Sequence, residues 1–113
     1  MSAVDLAAEH LLCWMQEACE LLDCRLPHCD LYDELIDDAY DLTERFAKWC
    51  KTEYWSPENV GMLRDVCRFV ERELAEYADA NVIDEHTPQW FLDTTHALHV
   101  FQKRVEEGSH YFD

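Results

Sequence analysis

Apolar residues recur along the chain at steps of three and four, and four stretches keep that rhythm for about 20 residues each. In residues 3–24, Val4, Ala8, Leu11, Met15, Ala18 and Leu22 share one side of a helix, with Ser2 as the expected cap and Pro27 barring extension. A short RLPHC turn leads to a second helix over 31–53. Asp30 is its expected N-cap, and Leu31, Leu35, Ala39, Leu42, Phe46 and Trp49 or Cys50 form its apolar stripe. The third helix, 57–80, opens on Ser56 as cap, Pro57 at the first helical position and Glu58 against the positive end of the helix dipole. Its stripe Val60, Leu63, Cys67, Val70, Leu74 and Tyr77 has the spacing of a bundle seam. Thr87 before Pro88 repeats the cap design for a fourth helix over 88–107, where Phe91, Thr94, Leu98, Phe101 and Val105 face inward and Gly108 supplies the stop.

Four amphipathic helices of about 30 Å joined by short links predict an all-α fold, a compact antiparallel four-helix bundle. A less regular orthogonal packing is the second choice. The chain has 113 residues, two Gly and three Pro, so residues 1–113 read as a single helical domain of few, long elements. A chain of that length buries roughly 65% of its unfolded surface, enough for a core without staples. Tyr111 and Phe112 in the tail are expected to tuck back onto the bundle.

Charge changes this picture more than composition does. There are 25 acids against 9 bases, a net charge of −16, and the excess is shared by both halves of the chain. Such a field repels nucleic acid and anionic membranes and attracts basic proteins or cations. Direct nucleic-acid binding and membrane association are therefore not expected. No stretch approaches a membrane span, and Asp5 and Glu9 stand where a signal peptide would want a basic, apolar start, so a cytoplasmic location is expected. The six cysteines read as free thiols in that setting.

The candidate chemistry is thin. Cys24, His28 and Cys29 lie close together with Cys19 one turn earlier, but C-x4-C-x3-H-C lacks the C-x2-C knuckle of structural zinc sites and Cys19 falls on the core face. His96 and His99 are surface histidines beside Lys103. Glu107 and His110 match the Glu-x-x-His spacing of di-iron bundles, yet no second copy exists and the core stripes hold no carboxylate. There is no G-x-S-x-G, no phosphate-cradling glycine loop and no H-E-x-x-H, and the sequence-adjacent pair His28 and Cys29 is a poor nucleophile dyad. No enzyme, no metal and no cofactor are expected.

One feature remains, the stretch DLYDELIDDAYDLTE. On a wheel at 100° per residue Asp30, Asp33, Glu34, Asp37, Asp38, Asp41 and Glu44 fall within an arc of about 140°, opposite the leucines. They recur about every 3 Å along the axis, close to the phosphate spacing of about 3.4 Å along a nucleic-acid strand. Acids on an exposed helix face are ordinary, and those in the first turn favour the dipole. The absence of i,i+4 bases is not ordinary: Arg45 and Lys48 come only at the end, whereas the third helix mixes Arg64, Asp65, Arg68, Glu71, Arg72 and Glu76. Tyr32, Ile36 and Tyr40 are expected at the edge of the buried arc, with Tyr54 and Trp55 closing the helix, as aromatic and apolar anchors beside the acids.

In charge, size and helical make-up, rather than through a motif, the chain resembles the small acidic proteins with which phages and mobile elements block host nucleic-acid machinery, anti-CRISPR and anti-restriction DNA mimics among them. The resemblance, which is one of type and carries no residue correspondence, implies a non-enzymatic inhibitor of a nucleic-acid-binding partner; with the charge pattern, the expectation is a monomer or homodimer that occupies a nucleic-acid-binding surface of a basic protein through the seven acids and Tyr40. An immunity protein or antitoxin neutralising a basic toxin meets the same charge requirement. A structural bundle whose acids serve solubility is the reading from a different class.

Overall fold

Ser56 shows how the punctuation becomes structure. Its backbone is extended (φ −143°, ψ 160°), its hydroxyl accepts from the Asn59 N–H at 3.1 Å, and Pro57 follows at the first helical position. The computed structural model describes residues 3–52 and 54–109. They form α1 (Ala3–Arg25), α2 (Asp30–Thr52), α3 (Pro57–Ala80) and α4 (Gln89–Ser109). The expected cap at Ser2 and the tail with His110, Tyr111 and Phe112 lie outside the described residues.

Three local expectations are corrected. Asp33 N–H donates to the Cys29 carbonyl at 2.8 Å, so Cys29 holds the cap position and Asp30 is already helical. Thr87 does not cap α4. Its hydroxyl accepts from the Asp84 N–H at 2.8 Å and closes the preceding turn, while the Pro88 carbonyl receives the first N–H groups of the helix. Gly108 does not stop α4, which runs to Ser109; a Cβ there would overlap the six-membered ring of Trp55, so the glycine admits that ring against the helix backbone. Arg104 covers the same indole, its guanidinium carbon 5.3 Å from the ring centroid.

The helices form an antiparallel four-helix bundle. His10 meets Thr94 and Trp14 stacks on Trp90, so residue numbers rise in α1 as they fall in α4. Cys19 meets Thr43 across α1 and α2, and Tyr77 packs on Phe91 across α3 and α4. In cross-section the bundle is flattened, with extents of 40 × 40 × 24 Å. The backbones of α1 and α3 touch across one diagonal, whereas no Cα of α2 comes within 8 Å of α4. Rings close that wider diagonal: Phe46 lies edge-on to Phe101 with centroids 5.4 Å apart, and Trp49 to Phe101 at 5.8 Å.

The expected stripes of α1, α3 and α4 are the ones that pack. Leu11, Met15, Leu63, Val70 and Phe101 are fully buried, joined by Val66, Phe69 and Met62. Two buried threonines satisfy themselves within their helices. Thr94 donates to the Trp90 carbonyl at 2.7 Å and so can accept from His10 Nε2–H at 2.8 Å; Thr43 donates to the Ala39 carbonyl at 2.8 Å and faces the Cys19 thiol.

The second helix departs from its expected stripe. Its buried residues are Ile36, Ala39, Thr43, Phe46 and Trp49, while Leu31 is 73% exposed and Leu35 39%. The buried face is turned by about 60° from the leucine stripe. Thr43, polar by composition, sits in the core because its hydroxyl has a partner one turn away, and Ile36, expected at the edge, is buried.

Candidate functional site

The rotation of α2 sets the position of the acids. With the core centred on Ala39 and Thr43, the arc holding Asp30, Asp33, Glu34, Asp37, Asp38, Asp41 and Glu44 points directly away from the bundle, and all seven are exposed. Asp41 reaches Arg45 at 3.6 Å and Asp33 reaches the His28 ring at 3.6 Å. The other five form no ion pair among the described residues. Eight pairs of these acids stand three or four residues apart. At a few tenths of a kcal/mol each, they cost about 2–4 kcal/mol at low salt. Burying Ile36, Phe46 and Trp49 contributes about 1.5–3 kcal/mol apiece, so packing outweighs the repulsion and holds the stripe in place.

The two borders of the stripe differ. Toward α1, Glu44 and Tyr40 share an open groove with Gln16 and Glu20, which continues past Ala47 to Glu9, Leu12 and Trp49. The Tyr40 phenol is pushed above its usual range by desolvation first, then by the charges of Asp23 and Glu20. Anionic character thus spreads from α2 onto α1. Glu20 and Asp23 were not singled out by the α2 wheel, because only the packing of two helices brings them beside Tyr40. The signal for them was that α1 carries five acids and only Arg25 among bases.

Toward α3, a shallow cleft has Leu35, Leu42 and Phe69 as its apolar lining, Asp38 on the α2 side, and Asp65, Arg68 and Arg72 on the α3 side. Arg68 reaches Asp65 at 3.7 Å, and Arg72 lies over the Phe69 ring at 5.8 Å. Of the expected anchors, Ile36 belongs to the core, Tyr32 is half-buried, and Trp55 is held by Gly108 and Arg104. Tyr40 and Tyr54 are exposed, as are Leu31 and Leu35, which the leucine stripe had assigned to the interior.

Elsewhere, Cys24, His28 and Cys29 are exposed at the α1–α2 turn while Cys19 is buried, so these four side chains do not converge. Among the described residues no group of three or more His, Cys, Asp or Glu is arranged to hold a metal ion. His96 and His99 are exposed on α4. No helix among the described residues is long and apolar enough to cross a membrane. No family model, no curated protein and no solved structure matches the chain.

Proposed function

We propose that the chain is a non-enzymatic inhibitor that occupies a nucleic-acid-binding surface of a basic partner protein, in the manner of anti-CRISPR and anti-restriction DNA mimics and in the cytoplasm of the host cell. One observation carries the reading: seven carboxylates are aligned on the outer face of α2, opposite the core, and five of them have no ion-pair partner among the described residues. A linear array at that spacing offers a basic groove the charge density of a nucleic-acid strand. Tyr40 extends the surface toward α1, where Glu20 and Asp23 add to the same sign of potential. Arginines of the partner find carboxylates and an aromatic face side by side.

The test is affinity capture from host lysate at low and at high salt, followed by identification of what elutes and by competition with DNA and RNA. The reading expects a basic, nucleic-acid-binding protein that is retained at low salt and displaced by nucleic acid. Capture of a basic toxin without nucleic-acid competition would move the function to an immunity protein. If nothing basic is retained, the acids serve solubility and the proposal is lost.

A further inference from the structure

The apolar face of α2 is wider than the part the bundle covers. Leu31, Leu35 and Leu42 lie along one helical ridge, yet Leu31 is 73% exposed, Leu35 is 39% exposed and Leu42 is half-buried. The ridge runs into the cleft lined by Phe69, beside the acid stripe and not beneath it. We propose, resting on the function argued above, that this ledge takes the apolar ridge of a positively charged amphipathic helix of the partner, so that binding has an apolar anchor as well as an ionic one.

The charge around the ledge selects this occupant. A second copy of the chain would bring another net charge of −16, with its own acid stripe, against Asp37, Asp38 and Asp41, and an anionic membrane would be repelled in the same way. Leu31 and Leu35 sit at the pole where α2 begins, opposite the pole of Ala3 and Ser109. A cationic helix satisfies both parts of the surface. Its leucines cover Leu35, Leu42 and Phe69, and its bases reach Asp38 and the stripe on the α2 side. Arg68 and Arg72 on the α3 side favour an acid at the far edge of that helix, which gives the occupant one orientation.

Two synthetic helical peptides of equal net positive charge separate the ionic and apolar parts, one with a leucine ridge and one with those leucines replaced by Gln. Affinities are measured on the full chain by NMR titration in about 0.05 and 0.5 M NaCl, a range over which exposed charges pass from weakly to strongly screened. The leucine peptide should shift Leu35, Leu42 and Phe69 resonances and stay bound at high salt, whereas the Gln peptide should bind only at low salt. Leu35→Gln, a change at an exposed position, should weaken the leucine peptide by about tenfold or more and leave the Gln peptide unaffected. Equal affinity of the two peptides, or indifference of the leucine peptide to Leu35→Gln, overturns the ledge. Loss of Gln-peptide binding in Asp33→Lys/Asp37→Lys/Asp41→Lys reports on the acid stripe separately, so failure of one is told from failure of the other.

Discussion

The outer faces of α2 and α3 belong to helices of nearly equal length, 23 and 24 residues, with cores of similar kind beneath them. Their charges are handled in different ways. On α3 bases are interspersed with the acids, Arg64, Arg68 and Arg72 alternating with Asp65, Glu71 and Glu76: Arg68 reaches Asp65, Arg72 lies over Phe69, and the neutral Gln102 of α4 donates to Glu71 at 3.4 Å. On α2 seven acids precede the first base, Arg45. Bases thus stand among the acids of α3, whereas on α2 they come only at the C-terminal end, where Arg45 reaches Asp41. The contrast argues that the α2 stripe is retained for what it meets, because beyond the dipole contribution of its first-turn acids it costs the fold more than it gives.

If α2 is held by its inner face alone, then emptying that face should cost it as much as the same change costs α3. Phe46→Ala, at a fully buried site touching Trp49 and Phe101, should lower unfolding free energy by about 3–5 kcal/mol. Leu63→Ala in α3 should cost a similar 2–5 kcal/mol or so. Urea titration checks both, and a much smaller loss for Phe46 would mean that α2 is held by something other than its core.

The two helices should also part company in alkali. Burial pushes the Cys67 thiol of α3 up to about 12 from 9.0, with Glu71 and Glu106 adding to the rise. A raised thiol value means that the neutral form is the one the fold accommodates. Its contribution is present below pH 9 and is lost as pH climbs toward 12. Between pH 8 and 10.5 the protein should lose about 2 kcal/mol more stability than Cys67→Ala does over the same interval. Equal losses would show that the thiol is not the group responsible.

Smaller effects sharpen the contrast between the outer faces. Asp37→Lys replaces repulsion toward Asp33, Glu34 and Asp41 by attraction, and should stabilise the fold by about 1 kcal/mol at low salt. The wild type should gain stability as salt is raised, and this variant should gain less. Arg72→Gln on α3 should do the reverse, costing about 0.5 kcal/mol through the lost contact with Phe69. The smallest change is at Glu73, whose carboxyl is held above its ordinary value by desolvation first and by Glu76 second. Its ionisation disfavours the fold, so Glu73→Gln should be slightly more stable than wild type at pH 7 and no more stable at pH 4.

The helices, their order and three of the four packing stripes were legible because the apolar period and the prolines agree with one another, although of the expected caps only Ser56 holds among the described residues. The placement of Pro57 after Ser56 needed no tertiary information. The α2 stripe was misplaced for a physical reason: its sequence offers two overlapping apolar ridges, one through Leu31, Leu35 and Leu42 and one through Ile36, Ala39, Thr43 and Phe46. Hydrophobicity favours the first, but the wide diagonal toward α4 is filled by Phe46 and Trp49 against Phe101, and that choice of rings turns the helix. Gly108 was read as punctuation because its real neighbour, Trp55, is far away in sequence. The seven acids themselves were fully legible, since a 140° arc or so tolerates a turn of about 60° without entering the core. Their spread onto Glu20 and Asp23 was not, because it depends on which edge of α1 faces α2.

One measurement puts the contrast between the two faces to its most direct test. Asp33→Lys/Asp37→Lys/Asp41→Lys on α2 and Glu71→Lys/Glu76→Lys/Asp79→Lys on α3 make the same change in net charge at different places. Affinity of each variant for the captured partner is measured beside the wild type at one fixed salt concentration. A surface centred on the α2 stripe, with Glu71, Glu76 and Asp79 of α3 outside it, predicts a loss of about 100-fold or more for the first variant and of no more than about threefold for the second. Equal losses would show that the partner senses only overall charge, and a first variant that binds like wild type would contradict the account outright.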